Sequence, residues 1–165
     1  MEKFNYKKII AIAIPVLILI VAVILIIYLL SDCNGVDGTI VIESDGVTSE
    51  EITVENLELY PGDCKTVELA ILSKVSGTYN FSLKFNEVAD GGLKQFVIVD
   101  VYYDDEIISS DTLSSLLGGK DINFDCNVEV STRSVLKIIY KMPIETDDTA
   151  QDTTSSFIVA LKIEN

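Results

Sequence analysis

From residue 38 onward, apolar side chains recur at every second position. Phe81, Leu83 and Phe85 alternate with Asn80, Ser82 and Lys84. Val97, Val99 and Val101 form a second row, Leu136, Ile138, Tyr140 and Met142 a third, and Phe157, Val159, Leu161 and Ile163 a fourth. A period of two is the mark of a strand with one face buried and one in water. Further strands are predicted over Thr39–Glu43, Ile52–Leu59, Lys65–Leu72 and Ile122–Val130. Turn formers separate these runs: Asp45-Gly46, Pro61-Gly62-Asp63, Ser76-Gly77, Asp90-Gly91-Gly92 and Gly118-Gly119. One stretch, Ser110–Leu117, is expected to be a short helix, with Asp111 as its cap ahead of Leu113, Leu116 and Leu117. About eight short strands spaced in this way predict a mainly-β, antiparallel sandwich.

The N-terminal part has another pattern. Residues 9–30 contain no charge and are interrupted only by Pro15 and Tyr28. As a helix rising about 1.5 Å per residue, that run is long enough to cross a bilayer core. Lys3, Lys7 and Lys8 precede it, while Asp32, Asp37 and Glu43 follow. The positive-inside rule then leaves residues 1–8 in the cytoplasm and exports the rest. A cleaved leader has a shorter apolar core and small residues at the cleavage site. Ile27-Tyr28-Leu29-Leu30-Ser31 lacks them, and Asp32 stands before Cys33 where a lipoprotein signal needs a small residue. The reading is a signal anchor at 9–30, a tether at 31–37 and an extracellular domain at 38–165. Cleavage of the leader would secrete that domain instead.

Charge narrows the function. The chain carries 12 Lys/Arg and 26 Asp/Glu. The first 30 residues hold three lysines and one glutamate, so the remainder keeps 9 cations against 25 anions, a balance of −16. Such a domain cannot neutralise phosphates, which excludes nucleic acid as a partner. With no His at all, Ser–His and Cys–His dyads and His-based zinc sites are absent together.

The segments Asn56–Asp63, Tyr140–Glu145 and Gly38–Ile40, in their order and spacing, resemble parts of the TasA/camelysin family of exported bacterial matrix and cell-surface proteins. Asn56-Leu57-Glu58-Leu59-Tyr60-Pro61-Gly62-Asp63 is similar to that family's N-L-x-P-G-D segment. Tyr140-Lys141-Met142-Pro143-Ile144-Glu145 is similar to its x-M-P-x-E element, followed here by Gln151 and the apolar run Ser156–Ile163. Tyr28-Leu29-Leu30-Ser31-Asp32 and Gly38-Thr39-Ile40 resemble its entry into the mature domain. The resemblance implies a jelly-roll or Ig-like sandwich that builds extracellular fibres or coats the cell surface. It also implies that Thr39, Ile40, Val41, Ile42 and Glu43 form a donor strand passed to a neighbouring subunit. The small residues of the family's cleavage site are missing here. Some members have been labelled metallopeptidases; without His or an H-E-x-x-H motif, this chain gives that label no support.

Three other features carry weaker signals. Asp104-Asp105-Glu106, Asp121 with Asp125, and Asp147-Asp148 with Asp152 are carboxylate clusters, but none has the spaced D-x-D-x-D-G form of a calcium loop. They read as a solvated acidic surface, with calcium a minor alternative, and no other cofactor is expected. A glycosidase pair is disfavoured by the absence of Trp for stacking sugars. Cys33, Cys64 and Cys126 are an odd set. A Cys64–Cys126 disulfide is one reading, with Cys33 free or joining two chains; small buried thiols are the other. Tyr102 and Tyr103 are expected to face opposite sides of a strand, and the sequon Asn80-Phe81-Ser82 falls within one.

Together these expectations describe a non-catalytic bacterial protein, single-pass in the plasma membrane through residues 9–30, with a cytoplasmic N-terminus. Its partners are the lipid bilayer and either copies of itself or related fibre subunits. The alternative is an anchored, monomeric β-sandwich that binds or senses a ligand.

Overall fold

The computed structural model describes residues 34–43, 47–146, 150 and 152–164. The 9–30 run lies outside the described residues, and among those that are described no helix is long and apolar enough to cross a membrane. The described chain is mainly β. Its nine strands are β1 (Asn34–Ile42), β2 (Thr48–Leu57), β3 (Cys64–Ser73), β4 (Gly77–Asp90), β5 (Ile98–Tyr103), β6 (Glu106–Thr112), β7 (Ile122–Val128), β8 (Arg133–Lys141) and β9 (Ser155–Glu164). They pair into two sheets, β1-β3-β8-β5-β6 and β2-β9-β4-β7.

The core lies between the sheets and is made of the alternating rows. Phe81, Leu83, Phe157, Val159, Leu136, Ile138 and Tyr140 are all buried there. Phe81 stacks on Phe124 with ring centroids 5.1 Å apart and meets Tyr103 edge-on at 5.4 Å; Tyr140 meets Phe157 edge-on at 5.4 Å. Such offset and edge-on pairs suit the ring quadrupoles. A five-residue helix, α1 (Leu113–Leu117), buries Leu113 and Leu116 between β6 and β7.

Three expectations need correction. The sandwich is antiparallel except at β1, which pairs parallel with β3. The cause is parity: the chain reverses on passing from β1 to β2 in the other sheet, and again on returning to β3, so β1 and β3 run the same way. Residues 34–37, placed in the tether, are already strand. The helix begins after Thr112 rather than Asp111: Thr112 Oγ1 accepts the Ser115 N–H at 3.3 Å, and residues 106–112 form β6.

The sandwich thus has two ends. One gathers the start of β1 and β3 with the Tyr60–Asp63 turn, the end of β4, Ile98, the Met142–Thr146 segment and the start of β9. The other holds the end of β1 and the start of β2, the 73–77 turn, Tyr103–Glu106 and Val128–Arg133.

Candidate functional site

Thr39–Ile42 lie in β1 with Glu43 just beyond, and β1 is the outermost strand of the five-stranded sheet. Ile40 pairs with Ile71 and Ile42 with Ser73, and both isoleucines are buried. Thr39, Val41 and Glu43 are exposed; Glu43 pairs with Lys74, which holds its carboxyl below the usual range. The end of the Leu69 side chain lies over Gly38, where a Cβ would come within 2.8 Å of Leu69 Cδ2 and push it aside. The expected donor strand is therefore seated along its own β3.

The other edge of β1 has no hydrogen-bonded neighbour among the described residues. Facing it across the open side of the sandwich is β2, the edge of the second sheet. Between them runs a cleft of about 260 Å³, walled by Gly38–Ile40 and Glu50–Thr53 and floored by Val67 and Leu69. The edges differ in chemistry. Glu50, Glu51 and Glu55 stud β2, Glu106 and Asp111 flank β6, and Asp125 lies on β7. From Gly38 to Ile42, β1 has no charge. Charged residues on an edge discourage pairing, and the Gly38–Ile42 stretch of β1, between Asp37 and Glu43, carries none.

The two sequence segments that carry the family resemblance meet at one end of the sandwich. Gly62 N–H donates to Met142 O at 2.9 Å, and Met142 N–H to Asp63 O at 3.0 Å. Asp63 N–H donates to Tyr60 O (2.8 Å), and Asp63 Oδ2 accepts the Tyr60 N–H at 3.1 Å. Gly62 takes a φ of 92°, a left-handed conformation that favours glycine. Pro143 and Glu145 also line a shallow cleft of about 370 Å³ with Phe96 and Ile98. So Pro61, Gly62, Asp63, Met142, Pro143 and Glu145 form one structural knot between two connections.

The cysteines do not pair as the Cys64–Cys126 reading has it. Cys64 is disulfide-bonded, whereas Cys126 is free. Cys126 points inward from β7 beside the core, and burial, with Asp104, Asp125 and Glu106 nearby, pushes its thiol up to about 11. That is the opposite of what a nucleophilic thiolate requires.

Most acidic clusters have structural partners. Asp104 and Asp105 take positive φ of 48° and 66° in the β5–β6 turn. Asp104 Oδ1 accepts the Val135 N–H at 2.7 Å. Asp121 pairs with Lys84 at 3.0 Å, and Asp125 Oδ1 accepts from Asn80 Nδ2 at 3.0 Å. Asp152 is exposed; Asp147 and Asp148 lie outside the described residues. Among the described residues, no three His, Cys, Asp or Glu side chains gather to hold a metal. Tyr103 enters the core, Tyr102 stays half-buried on the opposite face, and Asn80 is on the outer face of β4.

Sequence reasoning missed Asp100. It stands on the outer face of β5 yet is buried, accepting the Ser110 hydroxyl at 2.6 Å on Oδ1 and pairing with Lys141 through Oδ2. The only signal was a carboxylate inside the run Val97–Val101.

No protein-family model matches the chain, and no curated protein does. Among solved structures it is similar to the pre-peptidase C-terminal domain of collagenase from Bacillus anthracis, at 10% identity over 79% of this chain and 98% of that one, TM-score 0.41. A family 35 carbohydrate binding module from Clostridium thermocellum matches at 8% identity over 71% and 90%, TM-score 0.39. A periplasmic inhibitor of g-type lysozyme from Aeromonas hydrophila matches at 9% identity over 78% and 98%, TM-score 0.34.

Proposed function

We propose that this chain is a non-catalytic cell-surface protein of the TasA/camelysin kind, anchored through residues 9–30, whose extracellular sandwich assembles by strand-edge pairing. In this reading β2 to β9 form a jelly roll, ordered 2-9-4-7 over 3-8-5-6, and β1 is an addition to it. The observation that carries the reading is the edge of β1: free of charge from Gly38 to Ile42, without a second neighbour among the described residues, and bordering the cleft towards β2. A strand that fills the slot along its own β3 can fill the same slot in a neighbour, because the contacts are identical and only the connection changes.

Size-exclusion chromatography and negative-stain imaging of residues 31–165 test this. Strand-rich filaments are expected. Val41, 42% exposed on β1, is the position to guard: Val41→Lys should raise the assembly concentration by about tenfold, as a cost of roughly 1.4 kcal/mol per contact implies. A monomer under every condition would point instead to an anchored module that binds its ligand singly; filaments indifferent to Val41→Lys would show that assembly uses a surface other than the β1 edge.

A further inference from the structure

We propose that Cys33 and Cys64 form a disulfide that fastens β1 to its own β3, and that the bond passes to a second copy of this chain when β1 does. Cys64 opens β3 and is disulfide-bonded. The chain has three cysteines, and Cys126 is free. Cys126 also stands on β7 two residues before Val128, towards the opposite end of the sandwich from Cys64. Within one chain that leaves Cys33, which lies outside the described residues and is identified by elimination alone. The described register agrees with it. β1 and β3 begin their pairing at Asn34 and Lys65, and Cys33 and Cys64 are the residues just before these two in sequence. Neighbouring strands lie about 4.8 Å apart, inside the roughly 4.4–6.8 Å that a disulfide spans between Cα atoms.

In the strand exchange proposed above, on which this step rests, β1 must leave β3 before a neighbour's β1 can take its slot. A covalent tie opposes that, because it keeps β1 beside its own slot at an effective concentration of about millimolar or more. Release therefore needs a small-molecule thiol, and Cys64 is half-buried rather than enclosed. The thiolate attacks Cys64 Sγ and the Cys33–Cys64 bond breaks. A mixed disulfide forms on Cys64, while Cys33 leaves as a thiolate. That thiolate attacks Cys64 of the next copy and displaces its Cys33 in turn. Each step makes one S–S bond and breaks one, so no oxidant is consumed, and the proton of the initiating thiol ends on the last Cys33. The product is a row of copies joined Cys33 to Cys64, each β1 lying in its neighbour's slot. Cys126 is not the initiating thiol: burial pushes it up to about 11, so little of it is thiolate near neutral pH. Disulfides persist outside the reducing cytoplasm, the setting that the anchor reading supplies.

The full chain is purified in detergent without reductant, as unlabelled and isotope-labelled preparations, and its thiols are alkylated before digestion. A glutamate-specific protease separates the two cysteines, since Glu43 and Glu58 lie between them. Before any thiol is added, a monomer band on a non-reducing gel is expected, with a linked Cys33–Cys64 peptide of one isotope. A trace of glutathione added to the mixed preparations should then give a ladder of covalent multimers, at least about tenfold faster than without it. The linked peptide should now pair the two isotopes. Cys126→Ser should change neither result. Cys64 joined to any cysteine other than Cys33, or left unjoined, overturns the proposal. Linked peptides that stay within one copy, while filaments grow equally with and without thiol, overturn the transfer of the bond and leave the β1 edge as the assembly surface. Absence of filaments both from the wild type with thiol and from the Cys33→Ser/Cys64→Ser variant overturns the assembly reading itself, and the transfer with it.

Discussion

Asp100 shows what a single side chain can hide. The period of two places it on the outer face of its sheet, where a carboxylate is expected to be solvated, yet its side chain is only 4% exposed. Two neighbours account for this: Ser110 directly across on β6, and Lys141 on β8, two residues beyond Ile139, the partner of Asp100 there. Neither is close in sequence, so the spacing along the chain could not announce the contact. Tyr102 and Tyr103 were legible because their fate depends on alternation alone. Removing the cation should expose the difference. Lys141→Met leaves the buried carboxylate with only the Ser110 hydroxyl. A fully buried pair losing one partner costs about 3–5 kcal/mol; Lys141 is 43% exposed, and solvent screening reduces that to roughly 1–3 kcal/mol. Urea unfolding followed by circular dichroism should show the midpoint falling with an unchanged slope. An unaltered midpoint would mean that water, not Lys141, satisfies Asp100.

At the level of elements, the strands with an unbroken period of two stood out, and those with a break did not. β6 reads Glu-Ile-Ile-Ser-Ser-Asp-Thr, and its pairing with β5 shifts register between Val101 and Tyr102, so its two adjacent isoleucines do not alternate. The parallel setting of β1 was likewise invisible, because direction follows from which sheet each neighbour joins rather than from composition. What the sequence did contain was Gly38, whose role emerges only once β1 lies against Leu69. Gly38→Val is expected to overpack that contact, at about 1–3 kcal/mol, and to loosen β1 while β3 keeps β8. Amide exchange would then quicken at residues 39–42 and stay slow at residues 66–72. Uniform acceleration across both strands would show instead that β1 is part of the cooperative core.

For the whole molecule, charge decides when edges can meet. Copies of a domain at −16 repel over the screening length, about 30 Å at 0.01 M salt and 8 Å at 0.15 M. The assembly proposed through β1 would have to overcome that repulsion, so in that reading light scattering should show a faster onset at about 0.3 M salt than at 0.01 M. Acid acts in two opposite ways. Lowering the pH towards the carboxylate range discharges the surface and favours contact. Asp111, however, is held below the usual carboxylate value by Lys120 first and Ser109 second, and Asp90 by Lys94 and the Gly92 N–H. A depressed folded-state pKa contributes stability above the unfolded value of 3.8, and that contribution is lost as the pH falls through the folded value. Association should therefore increase from pH 7 down to about 4.5 with the fold intact, and below about pH 4 it should give way to unfolding. Far-ultraviolet circular dichroism alongside scattering separates the two regimes. Onset times that do not change with salt would mean that β1 edges meet without an electrostatic gate, and that the acidic surface serves solubility alone.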